Sequence, residues 1–377
     1  MPKQGKNLTD LRASNQGALL RFILANRTAT QQQLAAALQL TPMSISYITT
    51  ELLEKGYLRE TPTEGSSARG RRAKALSLVT EELLAVSVSV SRRAVRISTV
   101  DVGGAVLSTT RVPLAADTTA DRLTAVIERG IAAQLAAVDG RHVLGIGVSC
   151  VGLVNMHDGI VVSATDFYGI PDWPIGEHLE KRFGLPVFVA EDMKAAALAE
   201  CYYGVGGTQF VYVGITHGIG AAVIADGKLL AGEHGYAGEL GHTTLYPDGP
   251  SCPCGNHGCA ELYLSVPVVL KNAGCTAWED FTADADSPAM QRFLSDLATV
   301  LTGVVNLFDP EAVILGHEGA LLPAVCYKRL QQALARRTMT RHLKTVCVLP
   351  SALARHVTAQ SGAAIVFDRL FAGEFKL

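Results

Sequence analysis

Between Glu239 and Glu261 the chain places three of its eight cysteines close together, at Cys252, Cys254 and Cys259, with His242 upstream of them. Three thiolates and one imidazole make a donor set that suits tetrahedral zinc. Pro253, Gly255 and Gly258 permit turns tight enough to bring the sulfurs within ~4 Å of one another. All four coordination places would be filled, so the ion would stiffen the loop rather than activate water. His257 is the alternative fourth ligand. It lies between two of the cysteines, where its ring would strain to reach the same ion, so His242 is preferred. Three buried free cysteines are the competing reading, and a polar, Gly/Pro-rich setting argues against it.

Two carboxylates bracket the segment: Glu239 just before His242, and Glu261 just after Cys259. A metal-fixed loop would pin both near one point. His242 could bind the ion with one ring nitrogen and donate a hydrogen bond with the other. Two carboxylates and an imidazole suit several hydroxyls of one polar ligand, such as a sugar. Solvated loop charges are the alternative.

The pattern Glu-x-Gly-His followed by Cys-x-Cys-Gly-x-x-Gly-Cys-x-Glu resembles the signature of the ROK proteins (repressors, open reading frames and sugar kinases). The resemblance implies zinc at His242, Cys252, Cys254 and Cys259, and sugar contacts from Glu239, His242 and Glu261. It also implies an actin-like body of two α/β lobes and a homodimer or tetramer.

Charge is distributed unevenly. Residues 1–80 carry eleven Lys/Arg against five Asp/Glu, a net of +6, whereas the remainder nets −8. A basic head on an acidic body points to a polyanionic partner for the head. Leu19, Leu20, Phe22 and Ile23 mark a first helix over residues 15–26. Thr30 and Gln33 read as a capping box opening a second, with Leu34, Ala35 and Leu38 inward. Thr41 caps a third, with Pro42 at its first position. Its inner face is Ile45, Ile48 and Leu52, leaving Ser44, Ser46, Tyr47 and Thr50 for DNA bases and phosphates. Gly56 ends it. Tyr57–Glu60 reads as a polar loop, and residues 68–78 as a β-hairpin wing. There Arg69, Arg71, Arg72 and Lys74 would enter a minor groove or grip phosphate. The expectation is a winged helix-turn-helix domain over residues 1–80, contacting double-stranded operator DNA. ROK repressors carry such a head and ROK kinases lack it.

The body opens with three β-branched runs over residues 83–90, 94–101 and 104–109, a helix over 119–137 and a strand over 143–148 that leads to Gly152. A similar opening recurs over 210–225. We expect a first lobe of residues 81–190 and 355–377, a second of 191–354, and a ligand cleft between them that includes Gly152. The last helix, 358–371, should cross back onto the first lobe. Asp192 ends a strand and opens a helix. Alone it reads as an N-cap; in ROK kinases the matching Asp accepts the sugar hydroxyl proton. Their preceding Asn is Glu191 here.

The kinases' phosphate turns are altered. Their Asp-x-Gly-Gly-Thr reads Ser91-Arg92-Arg93-Ala94 from its second residue on. Their Gly-Thr-Gly-x-Gly reads Thr216-His217-Gly218-Ile219-Gly220, and their distal Gly-Gly reads Gly316-His317. Backbone N–H cradles for phosphate need small residues, so ATP binding should be lost while sugar binding is kept. Gly169–Trp173 lacks the kinases' Asn, and Asp166–Tyr168 would contact the ligand instead. No long apolar run or leader-like start is present, and the remaining cysteines, Cys150, Cys201, Cys275, Cys326 and Cys347, read as reduced core residues, which fits a cytoplasmic protein. The chain thus reads as a non-enzymatic, sugar- or sugar-phosphate-responsive transcription regulator with structural zinc. A ROK-type kinase with an added DNA-binding head is the alternative.

Overall fold

The computed structural model describes residues 8–62, 74–115, 117–138, 140–162, 170, 172–354 and 356–377. Arg69, Arg71 and Arg72, and the segment from Asp166 to Gly169, lie outside these.

The head comprises α1 (Leu8–Asn26), β1 (Ala29–Thr30), α2 (Gln31–Leu38), α3 (Pro42–Glu54), β2 (Leu58–Thr61) and β3 (Ala75–Leu78). The Thr30–Gln33 capping box is present. Thr41 accepts the Ser44 N–H at the start of α3, where Pro42 sits without needing a donor. Two expectations change. The first helix begins at Leu8, well before residue 15. Residues 58–61 are not a loop but the first wing strand, paired antiparallel with β3 in register Leu58↔Leu78 to Thr61↔Ala75. Leu58 is buried while Arg59 and Glu60 are exposed, so one inward side chain suffices to make this polar stretch a strand. Lys74, expected on DNA, pairs with Glu60 across the hairpin.

The body continues with β4 (Leu84–Val90), β5 (Ala94–Asp101), β6 (Val106–Pro113), α4 (Ala120–Ala137), β7 (Val143–Cys150), the short β8 (Val154–Asn155) and β9 (Ile160–Val161), α5 (Ile175–Phe183), β10 (Val187–Glu191) and α6 (Asp192–Tyr203). Then follow β11 (Phe210–Ile215), β12 (Ile219–Ala225), β13 (Lys228–Leu229), α7 (Glu261–Leu264), α8 (Val266–Ala273), α9 (Trp278–Thr282), α10 (Pro288–Phe308), β14 (Ala312–His317), α11 (Ala324–Arg337), β15 (Cys347–Pro350) and α12 (Val357–Ala372). Two five-stranded sheets result, ordered β6-β5-β4-β7-β10 and β13-β12-β11-β14-β15. They share one plan. An antiparallel hairpin, β4–β5 or β11–β12, pairs through its first strand with a later parallel strand, β7 or β14. The turns Ser91–Arg93 and Thr216–Gly218 are therefore equivalent points on the two lobes.

Alternation along each strand feeds two faces. In the second sheet Val211, Val213 and Ile215 meet Leu297, Leu301 and Val304 of α10, while Phe210 and Tyr212 face Ala195, Ala196 and Ala199 of α6. In the first sheet Val88, Ile97 and Val148 meet Leu123, Ile127 and Ile131 of α4. The final helix does cross back. Ala363, Val366, Phe367 and Leu370 of α12 share one core with Ala85 and Val100, and with Leu19, Leu20 and Ile23 of α1. The head is thus packed onto the body. Among the spare cysteines, Cys150 and Cys326 are buried as expected, but Cys201 and Cys275 are only half-buried and Cys347 is exposed on β15, the last strand of the second sheet.

Seating of α12 requires two bare backbones. A Cβ on Gly362 would meet the Gly147 carbonyl oxygen at 2.3 Å, and one on Gly147 would meet that of Gly362 at 1.8 Å. Gly362→Val should destabilise the body by about 3 kcal/mol, the upper part of the usual overpacking range. A lowered thermal midpoint relative to the surface control Gly303→Ala, where an added Cβ meets nothing within 4 Å, is the expected result.

Candidate functional site

A cleft of about 760 Å³ lies between the lobes. Six separated segments line it: the β4–β5 turn, the end of β7 with Gly152, the start of α6, the β11–β12 turn, the end of β14 with His317, and the start of α12. The loop from Glu239 to Glu261 closes it, contributing Glu239, His242, Cys254 and Glu261. Asp192, Glu239, His242, Glu261 and Gly152, expected together from sequence, are thus brought to one cavity.

That loop is drawn tight by its own backbone. Cys252 N–H donates to the Asn256 carbonyl at 2.7 Å, and Gly255 N–H donates to that of Cys252 at 2.9 Å. Gly258 has φ +60°, and a Cβ there would meet the Tyr246 carbonyl oxygen at 1.6 Å, so no other residue fits without moving the chain. The ligand atoms of His242, Cys252, Cys254 and Cys259 consequently all lie within 4.8 Å of one another. Cys254 Sγ stands 3.7 Å from Cys259 Sγ, and Cys252 Sγ 3.7 Å from His242 Nδ1. A tetrahedral zinc–thiolate site spaces its sulfurs about 3.8 Å apart, so this group can hold a metal ion. His257 stands apart from the group, with Nδ1 3.4 Å from Ser251 Oγ.

The cleft carboxylates have unlike surroundings. Glu191, not Asp192, caps α6: its carboxylate accepts the Met193 and Lys194 N–H groups, both at 3.1 Å. It also meets Lys194 Nζ, which is almost fully buried, at 3.2 Å. Asp192 follows as the first helical residue. Burial, then the charge and hydrogen bond of Glu191, push its carboxyl well above the usual range. The N-cap reading of Asp192 therefore passes to its neighbour. The reason is geometric: the cap residue is the last extended one, and β10 includes Glu191. Glu239 is raised as well, by desolvation first and then by Glu191. Glu261 Oε2 accepts from Ile219 N–H at 3.4 Å, which ties the metal loop to the β11–β12 turn.

Several cleft residues were missed from sequence as ligand contacts. Ser89, Ser149, Thr358 and Ser361 reach it from strands and a helix far apart in the chain, with no local signal. His317 had a signal only as a broken glycine pair. It holds φ +53°, ψ −127°, a backbone region costly for a side-chain-bearing residue. Burial lowers its imidazole to about 4, and its Nε2 is buried with no hydrogen-bond partner among the described residues.

On the head, Ser46, Tyr47 and Thr50 are exposed along α3 as expected. Ser44 is half-buried, and its hydroxyl lies 2.9 Å from that of Thr41, so it serves the cap. The guanidinium of Arg12 sits over the Tyr47 ring at 4.9 Å. Met43, overlooked in the sequence, is 82% exposed in the first turn. Its position off the Ile45/Ile48/Leu52 stripe was the available clue.

The ROK family pattern matches residues 85–369, and that of the MarR family matches residues 8–69. The chain is 26% identical over 395 aligned residues to the DNA-binding transcriptional repressor Mlc of Escherichia coli K12, covering 98% of this chain and 97% of that one. It is 30% identical over 352 residues to the DNA-binding transcriptional dual regulator NagC of the same organism, covering 85% of each. Among solved structures, a ROK family transcriptional regulator described as a homolog of E. coli Mlc superposes with TM-score 0.82 at 28% identity, covering 97% of this chain and 98% of that one. The ROK hexokinase of Thermus thermophilus superposes with TM-score 0.65 at 26% identity, covering 75% of this chain and 97% of that one. With its two like-ordered lobes, its cysteine-rich cleft loop and a MarR-like winged helix in front, the chain belongs to the ROK family.

Proposed function

We propose that this protein is a sugar-responsive DNA-binding transcriptional regulator, acting as a repressor of carbohydrate uptake or catabolism genes. One observation carries the reading: a head that leaves Ser46, Tyr47 and Thr50 of its capped α3 exposed is packed through α1 onto α12 of a two-lobed body whose cleft gathers Asp192, Glu239, His242 and Glu261. α3 would lie in the major groove, with Met43, Ser46, Tyr47 and Thr50 toward base edges and phosphates. Arg69, Arg71 and Arg72 would add sequence-independent affinity from the wing. Relatives named as repressors along nearly their whole length support the same view.

In this reading zinc binds His242, Cys252, Cys254 and Cys259 and holds Glu239 and Glu261 in place. Its chemistry is that of a closed structural site. Sugar hydroxyls meet Asp192, Glu239, His242 and Glu261, with Gly152 leaving room for close backbone approach. The protein is not a kinase. Where the kinases place a neutral Asn before this aspartate the chain has Glu191, and desolvation first, then Glu191, raises the Asp192 carboxyl. The β4–β5 turn also offers arginines where a phosphate cradle needs small residues. A homodimer or tetramer would present two winged helices to a two-fold operator.

Metal analysis of the wild type should find about one zinc per chain, as expected of a Cys3His site. Cys254→Ser should lower that content and weaken sugar binding with it; wild-type content in the variant would remove Cys254 from the site. Tyr47→Ala should reduce the preference for a selected operator over random duplex by about tenfold, one good base contact, in a gel-shift titration. Asp192→Asn should weaken sugar binding by about tenfold, one hydrogen bond's worth, while coupled ATP-turnover assays on hexoses remain at background in both forms. Turnover abolished by Asp192→Asn would establish the kinase reading instead.

A further inference from the structure

The composition of α3 is unusual for a helix read as facing DNA. Residues Pro42–Glu54 include no Lys, Arg, Asn or Gln, and the two charged side chains, Glu51 and Glu54, are acidic. The groups that most often read base edges, Arg or Lys on guanine and Asn or Gln on adenine, are therefore absent from it. Met43, Tyr47 and Glu51 follow one another at four-residue spacing and so share one face. Tyr47 is 60% exposed there, and a free phenol ring on an open helix face samples several rotamers.

The cation that α3 lacks comes from α1. The Arg12 guanidinium lies over the Tyr47 ring, 4.9 Å from its centroid, and its Nη2 pairs with Glu51 Oε2. The same carboxylate accepts from Gln16 Nε2 at 2.9 Å and, through Oε1, from Lys55 Nζ at 2.8 Å. Glu51 thus anchors Arg12 while Arg12 covers the ring. A planar guanidinium can stack on a ring and pair with a carboxylate at once, which the point charge of an ammonium cannot. We propose that Arg12 is a positioning residue for operator recognition: it locks the Tyr47 ring in the orientation that meets the base edge, so that α1 shares with α3 in setting the sequence preference. This rests on the DNA-binding reading above and deepens it. A side chain ordered beforehand loses less freedom on binding, and that advantage appears only on the duplex whose base Tyr47 meets. Other sequences, gripped through phosphates, gain nothing from it.

Gel-shift titrations of the full chain test this, with a duplex selected by the wild-type protein from a randomised pool and a scrambled duplex of the same composition, each over a salt series. Arg12→Ala should lower the preference for the selected duplex by about threefold, the size of an exposed cation–π contact. Gln16 and Lys55 remain on Glu51, so the salt slope on the scrambled duplex should fall by much less than the ~0.9 unit that a lost phosphate contact removes. Arg12→Lys should behave like Arg12→Ala. In a Tyr47→Ala background, Arg12→Ala should change the preference no further, because the two side chains act as one. Equal weakening on both duplexes with a full phosphate's worth of salt slope, restored by Arg12→Lys, would make Arg12 a phosphate contact. A further loss on top of Tyr47→Ala would make it a general support of the head, and an unchanged preference in Arg12→Ala would leave it no part in recognition. Each of these overturns the positioning role while leaving DNA binding standing. A wild-type protein that selects no duplex would overturn DNA binding itself, and this inference with it.

Discussion

The backbone-to-backbone contact between Gly362 and Gly147 decides how close α12 can come to the first sheet, and much else depends on that distance. The helix is buried along most of its length. One face continues the core of β4, β5 and β7, another packs on α6 against the second sheet, and its last turns receive α1. Thr358 and Ser361, at its start, are cleft residues. A side chain at either glycine would lift the helix from all of these at once, because close-packed interiors deform little.

The cysteine-rich loop plays a comparable part for the cleft chemistry. Its turns hold its shape through its own backbone, and its ends deliver Glu239 and Glu261 to the cleft. Glu261 is then tied to the β11–β12 turn and Glu239 is raised by Glu191, so the acids of the cleft form one electrostatic group rather than independent contacts. Within that group desolvation and then Glu191 raise the Asp192 carboxyl.

Local chemistry made part of this legible in the sequence. Caps, the Pro42 start and the inner stripe of α3 are short-range features, and the structure reproduces them. The cysteine spacing was legible for the same reason, since turns of a few residues decide where the sulfurs go. Two failures have the same origin in the opposite sense. The strand at 58–61 owes its existence to pairing with residues many positions away, and its one inward leucine gives no alternation to read. Asp192 was one residue off the cap because the boundary between β10 and α6 depends on β10 pairing with β7, which runs to Glu191. Residues such as Ser89, Ser149 and Ser361 reach the cleft only after the sheets are ordered, and nothing near them in the chain announces it.

Arg21 leaves the head and reaches the second lobe. Its Nη2 donates to the Gly227 carbonyl at 2.8 Å in the β12–β13 turn, and its guanidinium lies over the Tyr202 ring at 5.6 Å at the end of α6. One turn earlier on the same helix, Gly17 rests on the carbonyls of Leu370 and Phe371 in α12. The head is therefore mounted across the joint between the lobes, like a bracket bolted to both leaves of a hinge. Such a mounting carries torque in both directions: whatever turns one lobe against the other strains the bracket, and whatever grips the head resists the turn. Any coupling between operator and effector carried through that mounting would be reciprocal, since a coupling free energy belongs to the pair and not to either partner.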